Sequence, residues 1–468
     1  MRLHWHRRDL RAADNRALAA ATDEGSVLPV FVLDPEVLAH AGPPRVAFLC
    51  DALRWLRGWY RDRDSDLLVV RGDPTEELPR LADEHGAEGV VWNHDYTGLA
   101  RERDERVEDA LADAGIDHEA FHDAVHHEPG TITTNDGDPY AVFSYFGDKW
   151  LDREKDDPVP APDAGALADA GDDPGGVPTL DDLGFAEPDA DLPPAGTEAA
   201  RERLDRFCES SVFEYAEERE YPARSGTSRL SQDLKYGTIG IREVHERTAE
   251  ALDEAESEAA RDSIETYREE LAWREFYIQV LYYNPNVVTE NYKQYENEIE
   301  WRTDEDDLAA WKAGETGYPI VDAGMRQLRE EAYMHNRLRM IVASFLTKDL
   351  LLDWRVGYDH FRELLVDHDT ANDNGGWQWA ASTGTDAQPY FRVFNPMTQG
   401  ERYDPGAEYI TTYVPELDEV DPEDIHSWHE LDEDEREGLA PEYPAPICDH
   451  GERREAAIAM FERARGDG

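Results

Sequence analysis

Residues 367 to 379 place acids, an imidazole and two indoles close together in the chain. In a helix, residues two apart point about 200° apart, so Trp377 and Trp379 are expected to face different surroundings. Asp367 or Asp369 is expected to pair with Arg339 in the interior. Because a buried ion pair costs about as much as it returns, we expect a bound ligand to be the reason for it. The reactive side chains of this segment are Asp367, His368, Asp369, Asp373, Trp377 and Trp379.

A second candidate is a run of small hydroxyl residues that follows Tyr215. Residues 226–231 read Gly-Thr-Ser-Arg-Leu-Ser. Hydroxyl groups with an Arg at a helix start supply donors that suit a phosphate. An ordinary helix cap has the same composition, so the residues alone leave both interpretations open.

Two helical segments mix polar groups with aromatic or apolar ones. Glu270 and Trp273 lie within one helical turn in residues 270–277, which fits an acid and an aromatic at a site. A core Trp beside a solvated Glu is the alternative. Residues 333–340 are polar and basic inside an otherwise apolar helical pattern. Core helices rarely carry so many hydrogen-bonding groups without partners, so this segment also indicates a site.

The elements that would position these groups fall into two kinds. Residues 1 to about 127 alternate short apolar runs with amphipathic stretches such as 46–60 and 76–85, which predicts a doubly wound parallel sheet. No GxGxxG follows the first run, so a dinucleotide-binding Rossmann site is not expected there. Ligands of such sheets still bind at the carboxyl ends of the strands. The predicted strands are residues 2–5, 27–33, 67–70, 89–92 and 118–121.

The chain is predicted to form an α/β domain over residues 1–128, an interdomain linker over 129–196 and a helical domain over 197–465. Much of the linker consists of Pro, Gly, Asp and Ala with few large apolar groups. Beyond it the 3.6-residue period dominates, as in residues 269–282 and 337–353. The predicted fold class is therefore α/β plus all-α.

The charge is strongly negative and unevenly spread. The 468 residues hold 105 Asp and Glu against 47 Lys and Arg, and six of the basic residues are Lys, so the formal net charge is −58. Such an acidic coat fits a high-salt cytoplasm, where self-repulsion is screened. Residues 321–402 carry a net charge of only −3. A nucleic-acid partner is therefore not excluded, and DNA binding is expected to map to the helical domain.

Several classes of protein are disfavoured by what the sequence lacks. It has no apolar run long enough for a membrane span, and the first residues lack the apolar core of a signal peptide, so a cytoplasmic protein without a membrane partner is expected. Cys50, Cys208 and Cys448 are far apart and form no CxxC, which argues against a disulfide framework and against structural zinc. No metal site is expected.

Five motifs, in this order and spacing, resemble the DNA photolyase/cryptochrome flavoproteins. The resemblance runs from residue 5 to residue 447 and lapses in the linker and in the acidic approach to the C-terminus. It is closest to class I cyclobutane pyrimidine dimer photolyases of the 8-hydroxydeazaflavin type, here from a halophile. It implies an α/β domain and a helical domain that binds FAD, in a monomer. The motifs are WHRRDLR (5–11), TSRLS (227–231), ELAWREFY (270–277), MHNRLRM (334–340) and GGWQWAASTG (375–384).

The resemblance implies light-driven repair of UV-damaged DNA, double- or single-stranded. Reduced FAD would pass an electron to a pyrimidine dimer that is flipped out of the helix. Glu270 would hydrogen-bond the dimer, and Trp377, Trp354 and Trp301 would relay electrons to the flavin. The other implied dimer contacts are Trp273, Asn336, Arg337, Met340, Trp379 and Gln399. The implied FAD contacts are Tyr215, Thr227, Ser228, Arg229, Leu230, Ser231, Tyr267, Asn336, Arg339, Asp367, His368, Asp369 and Asp373.

A second, light-harvesting chromophore usually binds the α/β domain of this family. Members that use folate have an Asn-Glu pair where this chain has Leu99 and Ala100, which counts against folate. Arg45, Asp95 and Lys235 match segments of the 8-hydroxydeazaflavin members. The two cations would counter an anionic deazaflavin, and Asp95 would accept a hydrogen bond from its ring. Surface charge is the alternative interpretation of these three residues.

One departure leaves a second function open. Asp373 stands where most bacterial repair members carry Asn and where plant cryptochromes carry Asp, and a carboxylic acid there could donate a proton to the flavin. A cryptochrome-type blue-light photoreceptor is therefore the alternative. Repair is favoured because the chain ends soon after residue 447 and because Glu270, Trp273, Met340 and Trp379 are all present. Met340 also disfavours repair of 6-4 photoproducts, whose enzymes typically use His there.

Overall fold

The N-terminal region of the structure, a computed structural model that describes residues 1–171 and 174–466, is a parallel sheet. Within the described residues it has five strands in the order β3-β2-β1-β4-β5, and each neighbouring pair is parallel. Every residue of β2 is buried, as expected for a strand covered on both faces. The predicted sheet is confirmed, with strand ends within one residue of those expected. The strands are β1 Arg2–His6, β2 Val27–Leu33, β3 Leu68–Arg71, β4 Gly89–Asn93 and β5 Asp117–Phe121.

Helices cover both faces of this sheet. Leu78 of α4 and Val107 of α5 pack with Trp5 on one face, whereas Leu18 of α1 packs with Val27 and Val91 on the other. Side chains cap the helix starts, as when the Asn15 side chain accepts the backbone N–H of Leu18. The helices are α1 Arg16–Glu24, α2 Pro35–Leu38, α3 Pro43–Arg61, α4 Pro74–His85 and α5 Gly98–Asp113.

The segment predicted as a linker is not irregular throughout. It contains two helices, α6 (Phe143–Asp152) and α7 (Leu180–Leu183). Phe146 and Trp150 of α6 are fully buried in the core of the helical region, whereas Leu180 and Leu183 pack against the sheet domain. The linker therefore contributes to both cores. Its predicted bounds, 129–196, include residues 172–173, which lie outside the described part of the chain.

The helical region begins at Thr197 and is built around one long helix, α12. The predicted helix 269–282 lies inside it. The predicted helix 337–353 is instead divided: α15 ends at Ser344, and a π-helical turn over Phe345–Asp349 follows. The helices are α8 Thr197–Glu209, α9 Tyr215–Glu218, α10 Ser231–Tyr236, α11 Ile241–Glu254, α12 Glu258–Tyr283, α13 Glu305–Ala313, α14 Pro319–Glu331, α15 Asn336–Ser344, α16 Trp354–Leu364, α17 Thr370–Ala380, α18 Pro396–Tyr403, α19 Glu408–Tyr413, α20 Pro422–His426, α21 Glu433–Leu439 and α22 His450–Arg465.

A buried group of four charges joins the two regions. Arg242 of α11 donates to Asp14 at 2.5 Å and to Asp123 at 2.5 Å, and Arg11 also pairs with Asp123. Their side chains are at most 3% exposed. Removing one partner would leave a charge buried without compensation, so this group holds the sheet domain against α11. Across the described residues, no helix is long and apolar enough to cross a membrane.

Candidate functional site

Arg339 of α15 lies between two acids that the sequence singled out. Its Nη2 is 2.7 Å from Asp367 Oδ2, and its Nη1 is 3.3 Å from Asp373 Oδ1. Burial raises the pKa of Asp373 to about 7, although Arg339 opposes the shift. The Arg339–Asp367 pair is thus confirmed, and the three groups form one buried cluster at the ends of α15 and α17.

Asp369 does not join that ion pair, so the alternative Arg339–Asp369 pairing is wrong. Its Oδ1 caps α17 by accepting the backbone N–H groups of Ala371 and Asn372, each at 3.1 Å. Its Oδ2 therefore turns towards the sheet domain, where Arg8 lies 2.5 Å away. Burial alone would raise the pKa of Asp369, but Arg8 and Lys235 outweigh it and hold that pKa well below the usual value.

Buried polar atoms near this cluster lack hydrogen-bond partners within the protein. They include Asp367 Oδ1, His368 Nε2, His335 Nε2 and Trp377 Nε1. Burial lowers the pKa of His368 well below 6.5, so its imidazole is neutral. Buried polar groups are normally hydrogen-bonded. These four atoms therefore mark positions where a bound molecule would supply the missing partners.

The hydroxyl run lies beside this cluster and does not act as a helix cap. The N-cap residue of α10 is Leu230, and no side chain caps that helix. The Ser228 hydroxyl instead accepts from Tyr267 at 3.1 Å, and the Tyr267 ring packs edge-on against Tyr215 at 5.2 Å. Arg229 has a φ of 53°, a left-handed conformation that a non-glycine residue rarely adopts. The capping interpretation is thus excluded, and the hydroxyl groups remain available to a ligand.

A cleft of about 1040 Å³ opens next to this run, and Thr227, Ser228 and Arg229 line it together with Tyr333 and His335. This volume is at the upper end of the range that holds small molecules and cofactors. The Leu230 side chain is only 1% exposed and belongs to the core, so it can offer a ligand only its backbone. Ser231 begins α10.

Residues 333–340 mark a helix start rather than a helix interior, which corrects the sequence interpretation. The His335 imidazole accepts the backbone N–H of Arg337 at 3.2 Å and so caps α15. Met340 Sδ then lies 3.9 Å from Asn336 Nδ2 and 3.8 Å from Arg337 Nη1, so these three predicted dimer contacts are together.

Arg337 is already engaged by a carboxylate. Its guanidinium pairs with Glu220 and lies 4.3 Å from the ring centre of Tyr403 in α18, the helix that also carries the half-buried Gln399. A phosphate would therefore compete with Glu220 for this cation.

Glu270 and Trp273 lie within one turn of α12. Each contacts a residue that the sequence did not indicate. Arg219 pairs with Glu270 at 2.8 Å and lies 5.1 Å from the Tyr215 ring, so it connects the acid to the aromatic pair described above. The Trp273 indole stacks on Phe143 of α6, with ring centres 3.7 Å apart and planes 8° apart. The stack on Phe143 therefore fixes the orientation of the Trp273 indole, and Trp273 is not a simple core residue.

The two indoles of α17 do face different surroundings, as predicted. Trp377 is 2% exposed and packs edge-on against Phe361 at 5.0 Å and Trp311 at 6.1 Å. Trp379 is half-buried, with Phe394 at 6.4 Å. Asp373 and Trp377 are one turn apart, so Trp377 lies on the same side of α17 as the acid cluster.

The other two predicted relay residues belong to the same helical region. Trp354 is fully buried, and its indole N–H donates to Asn291 Oδ1 at 2.9 Å. Trp301 is half-buried and packs edge-on against Phe461 at 5.9 Å. Trp354 and Trp377 share one core cluster, and Trp301 packs against its edge. Trp377 and Trp354 are both buried and Trp301 is the most exposed of the three, so exposure distinguishes only the residue predicted to lie at the surface.

Arg45, Asp95 and Lys235 meet around a second cavity, of about 210 Å³, at the carboxyl end of β1 and β2. Burial, with the nearby Arg8, lowers the pKa of Lys235 to about 7. Burial alone would raise the pKa of Asp95, but Arg8 and neighbouring cations hold it at about 2. Arg45 Nε is buried without a partner. The three residues form one site rather than scattered surface charge.

Three residues that sequence reasoning missed connect these groups. Arg8 connects the second cavity to the start of α17, because its guanidinium reaches Asp95 at 3.5 Å and Asp369 at 2.5 Å. Arg219 holds Glu270, and Phe143 covers Trp273. Arg8 lies inside the WHRRDLR motif and Arg219 lies one turn after Tyr215, so each had a signal nearby in sequence. Phe143 had none, because it comes from the predicted linker.

Comparison with known families agrees with this two-part architecture. A family model described as the FAD binding domain of DNA photolyase matches residues 267–463, and one described as DNA photolyase matches residues 2–163. The fold and site thus define a flavoprotein with an α/β domain ahead of a helical FAD-binding domain. The chain belongs to the DNA photolyase family.

Individual relatives match over their whole length. A deoxyribodipyrimidine photo-lyase of Halobacterium salinarum is 62% identical over 480 residues and covers 100% of both chains. The crystal structure of a class III photolyase from Agrobacterium tumefaciens has a TM-score of 0.92 at 35% identity and covers 99% of this chain and 98% of its own. The crystal structure of an archaeal photolyase from Sulfolobus tokodaii with two FAD molecules has a TM-score of 0.86 at 32% identity, and the match covers 99% of each chain.

Proposed function

We propose that this protein is a deoxyribodipyrimidine photo-lyase, which uses light to split cyclobutane pyrimidine dimers in UV-damaged DNA. The observation that carries the proposal is that the two indoles of α17 lie in different surroundings. Trp377 is buried beside the Arg339–Asp373 cluster, whereas Trp379 is half-buried two residues later. One helix thereby presents an indole to the interior and another to a ligand that enters from outside.

The residues around the acid cluster fit a flavin dinucleotide. The unpartnered atoms of Asp367, His368 and Trp377 lie near the cluster, and the hydroxyls of Thr227 and Ser228 line a cleft with Arg229, which suits a diphosphate. The remaining proposed contacts are Tyr215, Leu230, Ser231, Tyr267, Asn336, Arg339, Asp369 and Asp373.

FAD in its reduced form, when bound, would supply an electron that opens the cyclobutane ring and then returns to the flavin. The chain's own residues position the dimer. Glu270 offers a carboxylate that Arg219 orients, and Trp273 and Trp379 offer aromatic surfaces on which flipped bases stack. Asn336, Met340 and Gln399 complete the proposed pocket, with Arg337 at its rim.

Trp377, Trp354 and Trp301 are proposed to carry electrons between the flavin site and the surface. All three are oxidisable indoles within one packed core and its edge. No residue in this set needs to act as a general base.

The cavity lined by Arg45, Asp95 and Lys235 is proposed to bind an anionic antenna chromophore of the 8-hydroxydeazaflavin type. Cationic side chains outnumber carboxylates in its lining, with Arg7, Arg8, Arg45, Arg103 and Lys235 against Asp34 and Asp95. An anionic ring would compensate the buried Lys235 ammonium and would supply an acceptor for the unpartnered Arg45 Nε. Asp95 would accept a hydrogen bond from the ring.

Light-dependent repair of an oligonucleotide that carries one thymine dimer, by purified protein in high salt, tests the proposal. Repair should require both light and reduced FAD, and Glu270→Gln should slow it. A cryptochrome-type photoreceptor is the second candidate, because burial raises the pKa of Asp373 to about 7 and so favours a neutral carboxylic acid at the flavin site. Absence of repair, with light-driven flavin reduction intact, would establish that candidate instead.

A further inference from the structure

Phe143 covers one face of the indole that is proposed to hold the flipped dimer. Its ring centre is 3.7 Å from that of Trp273, and the two planes are 8° apart. A face covered by a parallel ring at this distance has no room for a base. A dimer can therefore use only the surface of Trp273 that Phe143 leaves free, and the plane of Trp273 is set by Phe143.

The Phe143 ring is itself held in place by its own helix. Residue 147, one turn later in α6, is a glycine, and a Cβ there would lie 3.0 Å from the Cζ of Phe143. Phe146, the residue before Gly147, is fully buried and packs against Phe276 of α12. Helix α6 is thus packed firmly on α12, and the absence of a side chain at Gly147 is what lets the Phe143 ring lie where it does.

The same residue is tied to the opposite side of the proposed pocket. The backbone N–H of Phe143 donates to Asp386 Oδ2 at 3.2 Å. Asp386 lies between α17 and α18, in the segment 381–395 that also carries Phe394, the ring nearest Trp379. Phe143 therefore connects the side that holds Trp273 to the segment that supports Trp379.

We propose that Phe143 is a positioning residue for the lesion: its ring fixes the plane of the Trp273 indole and decides which face of that indole a dimer can use. The inference rests on the proposed function, since it assigns Trp273 and Trp379 to the dimer. It adds a residue from outside the helical region, at the start of α6. An aromatic pair contributes about 0.5–1.5 kcal/mol, which corresponds to about a two- to twelvefold change in affinity.

The test measures binding of a fluorescent duplex with one thymine dimer, and of the same duplex undamaged, to the full-length FAD-loaded protein in high salt. Phe143→Leu should weaken binding of the damaged duplex about two- to twelvefold and leave binding of the undamaged duplex unchanged. Phe143→Tyr should restore binding of the damaged duplex. The rate of repair at saturating DNA should be unchanged. Tyr145→Leu is the matched control, because Tyr145 is in the same helix but 64% exposed.

A second variant and a double-mutant cycle separate positioning from a general loss of structure. Gly147→Ala keeps Phe143 but pushes its ring, so it should weaken lesion binding in the same direction. Phe143→Leu should have no further effect in a Trp273→Leu background. An equal loss on both duplexes, a loss that persists without Trp273, or tighter binding by Phe143→Leu would overturn the inference. Failure of the parent protein to repair dimers would instead overturn the proposed function.

Discussion

The two indoles of α17 should respond in opposite ways to mutation. Trp379→Ala removes an aromatic surface that is half-buried in the free protein and is proposed to stack on the flipped dimer. Stacking of a base on an aromatic is worth roughly 1–3 kcal/mol, so dimer binding should weaken roughly five- to 150-fold. Light-driven reduction of FAD should survive, because Trp379 is not part of the proposed relay.

Trp377→Phe acts on the other side of the helix. The indole is 2% exposed and packs against Phe361 and Trp311, so phenylalanine keeps most of the packing. The cost in stability should be about 1–2 kcal/mol, below the roughly 3–5 kcal/mol of full truncation. Phenylalanine is much harder to oxidise than tryptophan, so light-driven reduction of FAD should collapse.

The assay compares both activities in both variants. Dimer binding is measured on a damaged duplex against its undamaged counterpart, flavin reduction is followed by absorbance under blue light, and repair is measured with chemically pre-reduced enzyme. Trp377→Phe should repair nearly normally when pre-reduced, because that electron comes from the flavin. If Trp377→Phe abolishes repair by pre-reduced enzyme, or if Trp379→Ala abolishes flavin reduction with binding intact, the assignment of the two faces is wrong.

Three further predictions concern the buried charges. Arg242→Ala should lower the free energy of unfolding by about 3–5 kcal/mol, because it leaves Asp14 and Asp123 buried with less compensation; denaturant titration in high salt would contradict this if the loss is below about 1 kcal/mol. Burial raises the pKa of Asp373 from 3.8 to about 7, so the folded state holds a proton that the unfolded chain releases, and this contribution to stability is full below pH 3.8 and is lost as the pH rises to about 7. Asp373→Asn should remove this pH-dependent loss of stability, which is at most about 4 kcal/mol. Thermal unfolding of the variant between pH 5 and 8 should therefore depend less on pH, and an unchanged pH dependence would refute the raised pKa of Asp373. Arg45→Ala with Lys235→Ala should abolish the absorbance of a bound antenna while repair per photon absorbed by FAD persists, and tightly bound folate in the native protein would overturn the antenna assignment.

The local patterns of the sequence determined the sheet and the different surroundings of Trp377 and Trp379, whereas most of the proposed site residues came from the family resemblance. Most of the strands were predictable because they are short apolar runs bounded by polar turns, as β2 illustrates, whereas β5 gave a weaker signal. The two faces of α17 follow from helix geometry alone. A pair between Arg339 and either Asp367 or Asp369 was predictable from the cost of burying either charge without a partner, and only the structure selected Asp367.

The tertiary structure decided which groups meet when they are far apart in the chain. Asp369 pairs with Arg8 rather than with Arg339, because one of its oxygens caps α17 and the other then faces the sheet domain. The polar segment around residue 337 was expected inside a helix but forms the start of one, since His335 caps it. Phe143 reaches Trp273 across 130 residues of chain, and no periodicity or composition indicates such a contact. Sequence periodicity reports which face of an element is buried, whereas the partner of that face depends on how whole elements pack.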